Sequence, residues 1–249
     1  MHRLDEAIYH EMARVERAHW WFVAKRRIVR SMIEGFVRPG AGRRISVADI
    51  GCGTGALLDE LAPTCDVVGL DSSPTAQQIC GARGLKVLPC WLPNDIGVPD
   101  ASFDAVVMSD VLEHVDEDAE SARAAAAKLR VGGVLIATVP AHPWMWTVHD
   151  EVHHHKRRYT RQAFARVMDG TGLKRERLSF YNTGLFPPMI AARVLGKIVP
   201  GSARSGAGVP VAPVNAVARE IFGFERFLLP RMALPFGASL IGVYRRVAV

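Results

Sequence analysis

Three glycines and an acid carry the first chemical signal in this chain. Gly51, Gly53 and Gly55 stand in IleSerValAlaAspIleGlyCysGlyThrGly, residues 45–55, where a short apolar run enters a glycine-rich turn and then a helix. Lacking a Cβ, each can take positive φ and let a ligand lie against bare backbone, with the amides of the following helix start aimed at it. A second apolar run, AspValValGlyLeu at 66–70, ends in Asp71. An acid at that distance suits the paired hydroxyls of an adenosine ribose.

The glycine spacing discriminates between adenosine cofactors. A dinucleotide site needs GxGxxG so that the helix can approach a pyrophosphate, whereas these glycines form GxGxG. That spacing points to S-adenosylmethionine, which has no phosphates, and counts against an NAD-dependent dehydrogenase. Methyl transfer from a sulfonium is an in-line displacement, so a protein must chiefly align a nucleophile and exclude water. A hydroxyl nucleophile must also lose a proton, and histidine is the usual base near neutral pH. His114, His142, His149 and the run His153, His154, His155 are the candidates. His114 and His149 are favoured as catalytic residues, with Asp150 available to orient an imidazole. His149 and His153 have the spacing of a helical metal pair, but the LysArgArg that follows at 156–158 would oppose a cation, and no metal is assigned. Those bases either hold an anionic group of the substrate or form a solvated lead-in to a helix capped by Thr160.

In order along the chain, ValAlaAspIleGlyCysGlyThrGly, GlyLeuAspSerSerPro, SerPheAspAlaValValMetSerAspValLeuGluHisVal (102–115) and LeuArgValGlyGlyValLeuIleAlaThrValPro (129–140) resemble class I S-adenosylmethionine-dependent methyltransferases. The similarity is to their type 11 group, which includes ubiquinone and menaquinone biosynthesis enzymes, over roughly residues 45–140. HisTrpTrpPhe near the N-terminus and the segment 142–160 are similar to a bacterial subgroup acting on glycans and small molecules. The resemblance implies cofactor binding by Asp49, Gly51, Cys52, Gly53, Gly55, Asp71, Ser72 and Asp110. It also implies an adenine-binding acid where this chain has Leu92, so the adenine would be held there by apolar contact and backbone unless Asn94 or Asp95 serves instead.

Composition narrows the class. Nearly half of the 249 residues are apolar, enough for one large domain with a well-formed core. Cys52, Cys65, Cys80 and Cys90 show no metal or disulfide-framework spacing, which argues for a reducing cytoplasm. No signal peptide and no run of about eighteen uncharged apolar residues is expected. Residues 1–44 and 183–249 are basic and the middle is acidic, while the net charge is +6. The fourth strand is followed by SerAspValLeuGluHis rather than by the Pro-Pro-aromatic tip of nucleobase methyltransferases, so nucleic acid is not the expected partner. A lipophilic or anionic small-molecule acceptor is, together with peripheral membrane contact.

These residues need a scaffold. Helical spacing is read at 4–18 and 21–36, with Tyr9, Trp20, Trp21 and Arg26 as candidates for a lid. Strands follow at 45–50, 66–70, 86–90, 103–109 and 132–139, and a helix capped by Asp116 is expected to run to Arg130. Alternation of strands and helices predicts an α/β, Rossmann-like, doubly wound, mostly parallel seven-stranded sheet with an antiparallel last strand. The expected division is an N-terminal helical lid over 1–44, a cofactor-binding core over 45–182, a helical cap insertion over 183–236 and the last strand over 237–249. The insertion combines a basic apolar stretch at 191–200, a Gly/Ser/Ala/Pro linker and a helix at 214–229. The expected activity is methylation of a hydroxyl oxygen on a lipophilic or glycan-type acceptor. The alternatives are carbon methylation of quinone type and a non-catalytic cofactor-binding protein of the same fold.

Overall fold

The structure, a computed structural model, describes residues 6–38, 40, 42–191 and 208–248. Most of the basic apolar stretch and part of the linker expected in the insertion lie outside the described residues, as does Leu4.

Two helices, α1 (Glu6–Val15) and α2 (Trp20–Phe36), precede the sheet. Then β1 (Ile45–Ile50), α3 (Ala56–Leu61), β2 (Cys65–Asp71), α4 (Pro74–Gly81), β3 (Val87–Pro89) and β4 (Phe103–Ser109) follow in turn. The second half comprises α5 (Asp118–Ala127), β5 (Leu129–Pro140), the short α6 (Val148–Val152), α7 (Arg161–Asp169), β6 (Lys174–Tyr181), a helix over Ala212–Gly223 and β7 (Ser239–Arg245). The seven strands form one sheet in the order β3-β2-β1-β4-β5-β7-β6. The strands from β3 across to β5 pair in parallel, while β7 runs antiparallel between β5 and β6.

Parallel strands covered on both faces need continuous apolar runs, and β4 supplies one, with Ala105, Val106, Val107 and Met108 fully buried. One face carries α2 through Ile28, Met32 and Ile33, together with Phe222 and Tyr181; the other carries Ala122 and Ala125 of α5 and Phe164 and Met168 of α7. Removing one of these large aliphatics would cost about 2–5 kcal/mol. Register places the chemistry. Ile50 lies opposite both Leu70 and Met108, so Gly51, Asp71 and Asp110 emerge along one edge, at the carboxyl ends of the strands.

Three expectations change. Helix α5 begins at Asp118 and ends at Ala127, and Asp116 does not cap it. The Asp116 carboxylate is drawn instead to the Lys156 ammonium, and its carbonyl accepts from Arg157 at 3.1 Å. Gly132 and Gly133 do not stop that helix. They belong to a bulge in β5, where Phe103 faces Leu129 and Ala105 faces Val134, with Gly132 at φ 86°. The helix expected at 214–229 spans Ala212–Gly223 and gives way to a 3₁₀ turn over Phe224–Phe227. It clasps the N-terminal helices: the Asn215 side chain accepts from the Trp20 amide and donates to the Ala18 carbonyl, both at 2.8 Å. The Thr160 cap holds as expected, its side chain accepting from the Ala163 amide at 3.1 Å.

Candidate active site at the carboxyl ends of the strands

The glycine loop takes the conformation its sequence implies. Gly51, Gly53 and Gly55 have φ of 72°, 54° and 82°, a region costly for any residue with a Cβ. The space is also closed to one: a Cβ on Gly51 would stand 2.6 Å from a Val111 methyl, and one on Gly53 would stand 2.7 Å from the Met12 methyl. Asp71 ties the loop to β2, its two oxygens accepting from the amides of Gly53 and Ser73 at 2.9 Å each. The Tyr9 hydroxyl reaches the same carboxylate at 3.4 Å. Burial raises the Asp71 pKa against these hydrogen bonds. Helix α1 therefore lies against the loop through Tyr9 and Met12, whereas Trp20 and Trp21 pack on the apolar face of the sheet. Arg26 bonds the Glu16 carbonyl and pairs with Glu60.

Asp49 is buried on β1, two residues before Gly51, and burial pushes its pKa up to about 7, with Lys25 opposing and Asp71 reinforcing the shift. Cys52 turns its sulfur toward the Gly53 carbonyl at 3.8 Å, so its backbone is what it offers a ligand. Ser72 is buried beside Asp71. Leu92 packs into the core with Cys90 and Ile96, and the Asp95 side chain accepts from the Gly97 amide at 3.0 Å. The bare backbone, the positive φ angles and the carboxylate ending β2 fit an adenosyl sulfonium, which brings hydroxyls and no phosphate.

At the tip of β4 the chain turns through Asp110, at φ 56°. Its carboxylate accepts from Lys25 Nζ and Thr138 Oγ1, each at 2.7 Å. Burial would raise its pKa, but Lys25 and then Thr138 hold it below the usual value. Asp110 thus spends much of its capacity within the protein, joining helix α2 to the sheet. Three residues on, Glu113 is fully buried, and neither carboxylate oxygen has a hydrogen-bond partner from another residue. Burial first, and the Asp110 charge second, drive its pKa well above the usual carboxylate range.

The segment after β5 folds back onto this tip. The Lys156 amide donates to the Glu113 carbonyl at 2.7 Å, and the Tyr159 hydroxyl donates to Asp118 at 2.7 Å. Arg158 is nearly buried, with Nε and one terminal nitrogen on Asp150 at 2.7 and 3.0 Å. The LysArgArg run is therefore neither a solvated lead-in nor a free anion site: Lys156, Arg157 and Arg158 pair with Asp116, Asp118 and Asp150. Asp150 orients His155, which donates from Nδ1 at 2.9 Å. The rings of His114 and His155 lie 4.8 Å apart, His149 and His153 lie 4.2 Å apart, and His149 is 6.2 Å from His155. The structure thus brings the two favoured histidines into one cluster around His155. Burial, then neighbouring histidines, push His114 down to about 4. For His149, partial desolvation and then His153 and His155 lower the pKa, a shift that the exposure of the residue limits. His142 is structural: its Nε2 bonds the Gly237 carbonyl at 2.9 Å between the rings of Phe180 and Phe186.

Lys25, Thr138 and Glu113 are not singled out by the sequence as site residues, and His155 is named only within the candidate run 153–155. For Glu113 a signal existed, since an acid within ValLeuGluHisVal interrupts an apolar run that must be buried. For Lys25, pairing with Asp110 across 85 positions, none did.

Residues 22–178 match a methyltransferase-domain family. A ubiquinone biosynthesis O-methyltransferase of Methylobacterium sp. (strain 4-46) is 36% identical over 99 residues, covering 37% of this chain and 40% of that protein. A demethylmenaquinone methyltransferase of Tropheryma whipplei (strain Twist) is 37% identical over 101 residues, covering 39% and 42%. The chain thus spans about two fifths of the length of these curated relatives. Among solved structures, a chain of the Haloferax volcanii complex between the Trm112 methyltransferase activator and a methyltransferase superposes at TM-score 0.60, with 18% identity over all of both chains. The [4+2]-cyclase SpnF superposes at 0.57, with 19% identity over 90% of this chain and 81% of that one. These two similarities speak for the fold alone.

Proposed function

The chain belongs to the methyltransferase-domain family matched over its residues 22–178, and from that premise we propose that it methylates a hydroxyl oxygen of a lipophilic or glycan-type small molecule with S-adenosylmethionine. What supports this reading is the cluster of histidine rings, His114 at 4.8 Å and His149 at 6.2 Å from His155, beyond the end of β4, whose carboxyl edge also carries the glycine loop and Asp71. The cofactor supplies an electrophilic methyl when bound. Asp71 and the bare glycine backbone would hold its adenosyl part, and the Lys25–Asp110 pair keeps α2 against the tip of β4. As a hydroxyl oxygen gains a bond to carbon its proton becomes strongly acidic, so an imidazole of low basicity suffices to take it.

An acceptor screen with methyl-labelled cofactor, with the methylated atom assigned by NMR, tests the proposal. Methyl on oxygen, and a turnover loss of about 10²-fold or more in His114→Ala or His149→Ala, is the expected result. Methyl on carbon with unchanged turnover in both variants would replace it with the second reading, quinone-type carbon methylation, which the similarity to a demethylmenaquinone methyltransferase supports.

A surface contact accompanies the proposal. Val214, Val217, Ile221 and Phe224 form an exposed stripe on and just beyond the Ala212–Gly223 helix. Residues 183–249 hold eight arginines and lysines against two glutamates, which suits an anionic lipid surface delivering an apolar acceptor. Among the described residues no helix is long and apolar enough to cross a membrane. Flotation with anionic but not neutral vesicles is expected, and protein left wholly in the soluble fraction would remove this contact.

A further inference from the structure

We infer that Glu113, His114 and His155 form a binding site for a divalent transition-metal ion of the zinc type. One ligand atom from each of the three lies within 4.8 Å of the other two. Tetrahedral coordination at usual bond lengths brings such atoms to about 3.3 Å, so the set would have to draw together by about 1.5 Å around an ion.

The case rests on the environment of each ligand. Glu113 is fully buried and both its oxygens lack a partner from another residue. A buried carboxyl without a partner is costly and rare, and a cation would supply what the protein leaves out. His155 is the best prepared of the three. Its Nδ1 is spent on Asp150, which Arg158 holds with two nitrogens, so the neutral ring presents the Nε2 lone pair. A carboxylate behind a ligating imidazole is the usual support of a metal-bound histidine. The two ligand segments are also tied together by the hydrogen bond from the Lys156 amide to the Glu113 carbonyl at 2.7 Å.

Two imidazoles and one carboxylate suit zinc and its neighbours, whereas magnesium and calcium prefer all-oxygen sets. The expectation of no metal rested on the basic run at 156–158, and those charges are neutralised by Asp116, Asp118 and Asp150. The ligands also differ from the pair that sequence spacing offered, because the rings of His149 and His153 pack on each other instead. Three protein ligands leave a fourth position open. In a role that rests on the methyl-transfer proposal, the acceptor hydroxyl would take that position, its acidity raised by the ion, and would release its proton to His149 rather than to His114.

The test is a Zn²⁺ titration of the chelator-stripped full chain in competition with a chromophoric chelator, repeated with Co²⁺ to record its ligand-field absorption. One ion per chain at micromolar affinity or tighter is expected. Glu113→Gln and His155→Ala should each weaken binding at least about 100-fold, and Asp150→Asn about 10- to 100-fold. His153→Ala should leave affinity and the Co²⁺ spectrum unchanged. Calorimetric binding of S-adenosylmethionine certifies that each variant is folded, and His155→Gln replaces any that fails. Absence of a bound ion, or affinity that survives Glu113→Gln and His155→Ala, would overturn the site. Zinc binding without methyl transfer to any acceptor would leave the site standing and remove the proposed activity. Full methyl transfer by a chain that binds no ion would do the reverse.

Discussion

Strand β4 has a buried acid near each end, Asp104 where it begins and Glu113 on the turn beyond its last residue. Asp104 accepts from both terminal nitrogens of Arg43, from the amide and the hydroxyl of Ser46, and distantly from Arg130. Burial alone would raise its pKa, but Arg43 and Ser46 hold it well below the usual carboxylate range. Glu113 lies nine residues further along, beyond the other end of the strand, and no other residue reaches its oxygens. The difference separates an acid that ties the β-sheet to its flank from one left open at the edge where ligands bind in parallel α/β sheets.

The largest effect is expected at the amino end of β4. Asp104→Ala should cost about 3 kcal/mol in urea unfolding, since it strips a shared acceptor from several donors, while S-adenosylmethionine affinity in the folded variant stays unchanged. At the other end the balance should invert. Asp71→Ala should weaken S-adenosylmethionine and S-adenosylhomocysteine binding by roughly 100-fold, about 2.7 kcal/mol, as read by calorimetry, with NAD binding absent in both proteins.

Acidity gives a third contrast. The Asp49 pKa rises from 3.8 to about 7 on folding, so between those values the native state holds a proton that the unfolded chain has released. Its contribution to stability is therefore full at the acid end and is lost as pH rises through 7. Asp49→Asn should remove on the order of 2 kcal/mol of that trend between pH 4 and pH 7. Unfolding curves at both values check the sign. Asp104 acts oppositely: its contribution is present above the unfolded value of 3.8 and declines as pH falls toward its depressed native value. The smallest effect is the most telling one. Glu113→Met should raise the stability of the metal-free protein by about 1 kcal/mol, and destabilisation there would mean that the open carboxyl has a structural partner after all.

Much of the architecture was legible in the residues. The β1 run, the glycines and the following apolar strand announced the cofactor half, because positive φ and strand periodicity are set by a residue and its near neighbours. Thr160 was legible as a cap for the same reason. Asp116 was not, although its sequence context is that of a helix start, because Lys156 lies 40 positions away and takes its carboxylate. Gly132 and Gly133 read as a helix stop yet serve a bulge in β5, a role fixed by how β5 pairs with β4.

The acceptor side shows the division most sharply. Sequence spacing singled out His114 and His149 and offered Asp150 as a support, but it could not say which imidazole Asp150 holds, nor that Arg158 is nearly buried behind it. Residue types, glycine conformations and helical or strand periods are properties of short stretches, and the chain itself determined them. Which acid meets which base, and which acid meets none, depends on strand register and on loops returning over the sheet. Glu113 and His155 become neighbours only because β4 and the segment after β5 end at the same edge.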